Sequence, residues 1–189
     1  MNIGEELVGD YLQYIEGCEF VQKNLSTKDI QGEIDVIDIN LEQKTVYLCE
    51  VAIHLETGLQ YTFNKRPNNV NKLTEKFSKD IQYALKYFPT ESEYQHKFMF
   101  WSPIVKKRKS SAKNDQDNNL KDVQGNIRKK YGIEIELIIN KAFMDAMGKL
   151  RQFALNQTGE LKSPVLRLYQ IEEKTQRYIQ KHRFTNLIE

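Results

Sequence analysis

The 189-residue sequence has few cysteines and no long apolar segment. Cys18 and Cys49 are too few for a disulfide framework or a four-cysteine zinc site. No apolar run approaches the roughly 18 residues that a membrane-spanning helix needs. The acidic residues 1–6 do not resemble a secretory signal. We therefore expect a cytoplasmic protein that has no association with a membrane.

Glycine and proline are also sparse, with 9 and 4 residues, while 40% of the residues are hydrophobic. This composition excludes a collagen-like or disordered chain, and the length suits one hydrophobic core. We predict a single domain over residues 1–189, with a core at about 2–140 and a C-terminal helical extension at about 141–185.

Charge is distributed unevenly along the chain. Residues 1–63 contain 12 acidic and 3 basic residues, whereas residues 104–131 contain 9 basic and 3 acidic residues. This asymmetry fits a protein that binds a divalent metal with one part and a polyanion with the other. Ordinary mixing of charges explains it equally well.

Hydrophobic periodicity predicts an α/β protein. The predicted helices are 2–16, 69–88, about 141–156 and 164–182. The predicted strands are about 18–25, 32–39, 45–54, 96–105 and 133–139. Residues 106–119 are expected to form a loop that leads into a short helix before Tyr131. The order of these elements predicts a mixed sheet with helices on both faces.

Acidic residues within two neighbouring predicted strands are the most informative feature. Because side chains alternate along a strand, Asp35 and Glu50 are expected side by side on one face. Two adjacent carboxylates that are both ionised repel each other and favour a hard cation such as Mg²⁺ between them. The backbone carbonyl of Val51 is a natural further ligand. The alternative is a pair of solvated acids on an exposed sheet face.

Three short segments form a recognisable pattern: Gly4-Glu5-Glu6-Leu7, Gly32-Glu33-Ile34-Asp35 and Cys49-Glu50-Val51-Ala52. Together they resemble the PD-(D/E)XK nuclease superfamily, closest to its Holliday-junction-resolvase-like branch. The resemblance implies a restriction-endonuclease-like fold: a central mixed β-sheet flanked by helices, here with extra C-terminal helices. It also implies that Glu6, Asp35 and Glu50 hold Mg²⁺ or Mn²⁺.

One position departs from the family pattern. The family has lysine two residues after the glutamate, where this chain has Ala52. Lys76, in the predicted helix 69–88, is our first candidate for a lysine that replaces it. His54, on the Glu50 face of its strand, is the second candidate, as a general base or a phosphate contact.

Basic residues elsewhere predict contacts with nucleic acid. The predicted contacts are Lys72 and the run Lys106, Lys107, Arg108 and Lys109. We therefore expect a metal-dependent nuclease that acts on DNA. The alternatives are a nuclease that acts on RNA and a catalytically degenerate nucleic-acid-binding or assembly subunit. The C-terminal helix is a candidate surface for homodimer formation.

Overall fold

The computed structural model describes residues 2–27, 32–89, 93–107 and 115–182, which form an α/β structure. The helices are α1 (Ile3–Tyr14), α2 (Asn69–Tyr87), α3 (Gln116–Tyr131), α4 (Lys141–Asn156) and α5 (Pro164–His182). The strands are β1 (Phe20–Ser26), β2 (Glu33–Asn40), β3 (Thr45–Val51), β4 (Thr62–Phe63), β5 (Arg66–Pro67), β6 (Gln95–Ser102) and β7 (Ile135–Ile139). The predicted fold class, a mixed sheet flanked by helices with further C-terminal helices, is confirmed.

The central sheet has the strand order β1-β2-β3-β6-β7. β2 is antiparallel to both β1 and β3, whereas β6 is parallel to β3 and β7 is parallel to β6. Parallel neighbours need crossover connections, which α2 and α3 provide. Since β3 and β6 run in the same direction, the loops that follow them lie at the same edge of the sheet.

Helices cover both faces of the sheet, and β3 is buried along its whole length. On one face, Leu48 and Phe100 pack with Phe77 of α2 and Leu120 of α3. The opposite core surrounds Trp101 and includes residues of α1, α4 and α5. Burial of a large apolar side chain contributes about 1.5–3 kcal/mol. These two cores therefore hold the sheet between two layers of helices.

An apolar stripe fixes the position of α2. Leu73, Phe77, Ile81 and Ala84 are all fully buried, and their spacing of three or four residues places them on one helix face. The predicted helix 69–88 is confirmed, and the observed helix ends one residue earlier. Because this stripe packs on the sheet, α2 also brings the polar residues beside the stripe to the sheet surface.

The helix before Tyr131 begins earlier than the sequence prediction. α3 starts at Gln116 because the side chain of Asp115 accepts hydrogen bonds from the N–H groups of Asp117 and Asn118. Residues 116–119, which the sequence analysis assigns to the loop, therefore belong to α3. Of the other loop residues, 106, 107 and 115 are described, whereas 108–114 lie outside the described ranges.

The connection between β3 and α2 contains a hairpin that the sequence analysis does not predict. β4 and β5 are antiparallel, and Asn64 and Lys65 form the two-residue turn between them. Both turn residues have positive φ, 47° and 61° respectively. Such left-handed values are those that a type I′ hairpin turn requires.

The two C-terminal helices have the predicted bounds. Ser163 lies immediately before α5, where its hydroxyl accepts a hydrogen bond from Leu166 N–H at 3.3 Å and donates one to the buried Asp10. This cap ties α5 to α1. Within the described ranges, no helix combines the length and the apolar content that crossing a bilayer requires.

Candidate functional site

Asp35 and Glu50 lie beside each other on the sheet face that α2 covers. Val36 pairs with Cys49 and Ile37 pairs with Leu48, so the same register places Asp35 opposite Glu50. On β3, Leu48 belongs to the core on this face and Cys49 belongs to the core on the other. The alternation predicted from the sequence is therefore present at these positions.

The ammonium group of Lys76 contacts both carboxylates. Lys76 Nζ forms an ion pair with Glu50 Oε2 and lies 3.4 Å from each oxygen of Asp35. Asp35 Oδ2 also accepts a hydrogen bond from the backbone N–H of Val51 at 2.8 Å. α2 thus supplies a cation to the strand pair that contains the two predicted acids.

These three side chains differ in their exposure to solvent. The Glu50 side chain is 1% exposed, that of Asp35 is 13% exposed and that of Lys76 is 24% exposed. Burial without compensation would strongly disfavour an ionised carboxylate. The contact with Lys76 offsets that cost, while the partial exposure of Asp35 and Lys76 leaves the pair accessible from one side.

A third acid, Asp80, completes a buried polar cluster that the sequence analysis missed. Asp80 lies one helical turn after Lys76 and is 1% exposed, and its charge acts on Glu50. Its place four residues from Lys76, beside the buried Ile81, was a signal in the sequence for an acid near the sheet surface. Asp35, Glu50, Lys76 and Asp80 are called the carboxylate–lysine cluster below.

Burial determines the protonation of this cluster. Burial raises the pKa of Glu50 well above its usual range, and the charges of Asp80 and Asp35 raise it further. Burial also raises the pKa of Asp80. Burial lowers the pKa of Lys76, but the charges of Glu50 and Asp35 outweigh this effect, so its pKa is raised. The result is a protonated lysine beside two buried carboxyl groups whose burial disfavours their ionised form.

Tyr61 is a second residue that the sequence analysis missed. Burial raises the pKa of its hydroxyl, on which the charges of Lys76, Glu50 and Asp35 also act. His54 is exposed, and its ring meets the ring of Tyr61 edge-to-face, with 6.4 Å between the centroids. His54 thus lies against Tyr61, a residue on which the charges of the cluster act. Among the described contacts, none joins His54 directly to Glu50.

Glu6 lies apart from the other two predicted metal ligands. It forms an ion pair with Lys23 of β1, with 2.5 Å between Lys23 Nζ and Glu6 Oε2. The described residues contain no group of three or more His, Cys, Asp or Glu side chains arranged to hold a metal ion. The structure therefore does not assemble Glu6, Asp35 and Glu50 into one site.

Asp35 and Glu50 nevertheless have the chemistry that Mg²⁺ requires. Mg²⁺ commonly binds one or two carboxylates and completes its octahedral shell with water and substrate phosphates. Glu50 Oε1 is buried and has no hydrogen-bond partner among the described residues. An unpartnered buried carboxylate oxygen beside a second carboxylate fits a site for such an ion.

Three lysines of α2 line a pocket next to the cluster. The pocket has a volume of about 160 Å³, and its lining includes Asp35, Lys72, Lys76 and Lys79 together with residues 32–33. Glu75 forms ion pairs with Lys79 at 2.8 Å and with Lys72 at 4.0 Å. The pocket lining therefore combines three ammonium groups with the carboxylates of Glu33 and Asp35.

The predicted basic loop follows β6, at the sheet edge where β3 also ends. Lys106 donates its backbone N–H to Gln116 Oε1 at 2.8 Å, and its ammonium group bonds to the carbonyl of Glu56. Lys107 is exposed. Arg108 and Lys109, predicted to contact nucleic acid, lie outside the described residues.

Comparisons with protein-family models, with curated proteins and with solved structures gave no match to this chain. The resemblance to the PD-(D/E)XK superfamily thus remains a hypothesis based on three short motifs. The chain itself presents a lysine that contacts two adjacent carboxylates. A third acid, Asp80, is buried on the same helix, and a pocket whose lining includes three lysines lies beside the cluster.

Proposed function

We propose that this protein is a metal-dependent nuclease that hydrolyses phosphodiester bonds in DNA. The observation that carries the proposal is the contact of Lys76 with both Asp35 and Glu50 beside a pocket lined by lysines. Paired carboxylates suit a divalent cation, and ammonium groups suit the phosphate of a substrate. The two requirements of phosphodiester hydrolysis thus meet at one place.

In this proposal, Asp35 and Glu50 would hold Mg²⁺ or Mn²⁺. When bound, such an ion lowers the pKa of a coordinated water and polarises a phosphoryl oxygen. Lys76 would turn its ammonium group from the carboxylates toward the phosphate and stabilise the charge that develops there. A water oxygen bonds to phosphorus while the bond to the 3′-oxygen breaks. The attacking water gives up one proton and the 3′-oxygen takes up one, which leaves a 5′-phosphate and a 3′-hydroxyl.

The surroundings of Ala52 support this role for Lys76. Ala52 is 3% exposed and belongs to the apolar core beneath α2. A lysine at position 52 would have to place its stem within that core. A lysine on α2 reaches the same carboxylates from above, with its stem along the helix surface and its tip at the pocket.

The decisive experiment incubates the purified protein with plasmid, branched DNA and RNA in Mg²⁺, in Mn²⁺ and in excess chelator. We expect cleavage of DNA with either metal, no cleavage with chelator, and loss of cleavage in Glu50→Gln. The control is Glu42→Gln, which alters an exposed glutamate in the turn after β2. Cleavage that survives the chelator or Glu50→Gln would contradict the proposal, and cleavage of RNA alone would replace DNA as the substrate.

The same experiment addresses the alternative of a catalytically degenerate nucleic-acid-binding or assembly subunit. Such a protein would bind DNA with the salt dependence typical of phosphate contacts. It would leave every substrate intact with either metal. Binding without cleavage, in a preparation whose fold is verified by circular dichroism, would therefore favour the alternative.

We also propose that the protein forms a homodimer through α5. One face of α5 packs on the domain through Val165, Leu166 and Gln170, while the opposite face exposes Leu168, Ile171, Tyr178 and Ile179. An apolar stripe on the side of a helix opposite its own core is typical of helix pairing. We expect Ile171→Glu to convert dimers to monomers in sedimentation velocity, whereas Gln176→Glu, beside the stripe, should not. A wild-type protein that is monomeric at every concentration would contradict the proposal.

A cytoplasmic location forms part of the proposal. Cys18 and Cys49 are both free and buried. Burial raises the pKa of Cys18 to about 12, so its thiol is poorly reactive. Free thiols suit the reducing conditions of the cytoplasm, although burial protects them elsewhere too. Fractionation of cells that produce the protein tests this location.

A further inference from the structure

The β4–β5 hairpin exposes an aromatic ring, and hydrogen bonds join its base to the start of α2, the helix that carries Lys76. Phe63 is 66% exposed, although it lies in the hairpin strand β4. Both short strands of the hairpin are exposed along their length. A single exposed apolar residue is common on protein surfaces and needs no explanation by itself. Phe63 differs from such a residue in two respects. The segment around it is positively charged, and hydrogen bonds join its hairpin to α2.

The segment around the hairpin carries only positive charge. Residues 57–74 contain Lys65, Arg66 and Lys72 and no acidic residue, in a chain with 26 acidic residues. The hairpin also lines an open groove of about 570 Å³, bounded by Phe63, Asn64, Arg66 and residues 67–68. A groove that combines an aromatic ring, amide groups and an arginine suits a nucleotide, since phosphate and base are then both contacted.

Hydrogen bonds hold the base of the hairpin to α2. The backbone N–H of Tyr61 donates to Asn69 Oδ1 at 2.8 Å, and its carbonyl accepts from Asn68 N–H at 2.8 Å. Asn69 is itself buried and also donates to Asn119 Oδ1 at 3.0 Å. Tyr61 thus links the hairpin to α2, the helix that carries Lys76, and the charges of the cluster act on its hydroxyl. Phe63 follows only two residues later.

We propose that Phe63 stacks on an unpaired nucleobase next to the phosphate that occupies the cluster, while Lys65 and Arg66 contact the adjoining backbone. This inference rests on the proposed function and narrows its substrate to nucleic acid with a single-stranded segment. In a duplex the base faces stack on one another, whereas an unpaired base offers a free face to an aromatic ring. Such stacking tolerates any base, so the hairpin selects for strand structure rather than sequence.

The test measures binding by fluorescence anisotropy in chelator, where no cleavage occurs. The probes are a single-stranded oligodeoxynucleotide, an abasic strand of the same length and a matched duplex. Alanine replacement of a stacking aromatic costs about 1–3 kcal/mol per base, which corresponds to a loss of roughly 5- to 150-fold in affinity. We expect that loss for Phe63→Ala on the single strand and no change on the abasic strand. Phe63→Trp should retain the affinity, and Phe63→Leu, which is apolar but not aromatic, should lose it.

Each outcome has a distinct meaning. Wild-type affinity of Phe63→Ala for the single strand would overturn the stacking proposal and leave the nuclease proposal standing. Equal losses on the normal and the abasic strand would also overturn it, because the effect would then not involve bases. If the wild-type protein binds none of the probes and cleaves no substrate, the proposed function falls and the stacking proposal falls with it. Circular dichroism of each variant verifies that its fold is intact.

Discussion

The two faces of the central sheet both bury acidic side chains, in different surroundings. On the α2 face, Glu50 and Asp80 are buried around Lys76, and Asp35 connects them to an open pocket. On the α1 face, Asp38 is completely buried. Among the described residues, no cation lies within ion-pair distance of Asp38, although the charge of Lys23 acts on it from farther away.

This difference shows which buried acids indicate a site. Burial raises the pKa of Asp38 to about 8, so this residue can remain neutral within the α1-side core at moderate pH. The α2 face instead retains a charged lysine beside its acids and leaves that lysine partly open to solvent. We therefore treat a buried acid as a candidate site residue only when a counter-charge and a pocket accompany it. Each prediction below tests one side of this comparison.

The largest effect should follow removal of the Lys76 charge. Loss of one group that stabilises transition-state charge costs on the order of 10²–10³ in rate. We expect Lys76→Met to reduce plasmid cleavage by that factor. Lys141→Met is the matched control, because Lys141 is exposed on α4 in the other helix layer. Equal cleavage rates for Lys76→Met and wild type would show that Lys76 takes no part in the reaction and would contradict the proposed role of the cluster.

The second prediction concerns the other face and the pH dependence of stability. The unfolded chain releases the Asp38 proton near pH 4, whereas the folded protein retains it up to about pH 8. The folded protein therefore binds more protons in this window. This residue makes the free energy of unfolding fall as pH rises from about 4 to about 8. Asp38→Asn should remove that fall and be more stable than wild type by about 2–5 kcal/mol at pH 8.

Urea unfolding at intervals between pH 4 and pH 9 measures this effect. Glu50 and Asp80 also have raised pKa values, so part of the fall should persist in Asp38→Asn. Glu42→Gln serves as the control for an exposed carboxyl group. If wild type and Asp38→Asn show parallel curves, Asp38 does not retain its proton as described.

The sequence predicts those parts of the molecule that depend on local patterns. The stripe of α2 gives its position and its end before Pro89, and strand alternation gives the pairing of Asp35 with Glu50. The early start of α3 follows from the N-cap at Asp115, which is a local signal. Because the first turn of this helix is polar, hydrophobic periodicity does not indicate where the helix begins. By contrast, the hydrogen bonds that hold Tyr61 to α2 depend on how a long connection folds back on this helix. No periodicity in the sequence records that arrangement.

A smaller effect is expected from the basic loop after β6. Each lost phosphate contact lowers the slope of log affinity against log salt by about 0.9 on duplex DNA. Lys106→Gln combined with Lys107→Gln should therefore lower the slope by up to about 1.8, without a change in fold. The measurement is DNA binding in chelator over a salt series, with Lys141→Gln as the control. An unchanged slope would show that Lys106 and Lys107 do not contact DNA phosphates.

The smallest effect should come from His54, the second candidate for the missing lysine's role. His54 is exposed, and its described ring contact is with Tyr61 rather than with a carboxylate of the cluster. Substitution of an exposed residue away from a buried network usually changes free energies by about 0.5 kcal/mol or less, which is about twofold in rate. We expect His54→Ala to cleave DNA within about twofold of wild type, measured beside Lys76→Met under identical conditions. If the cleavage rate of His54→Ala instead falls by about 10²-fold or more while Lys76→Met cleaves normally, His54 holds the role that we assign to Lys76.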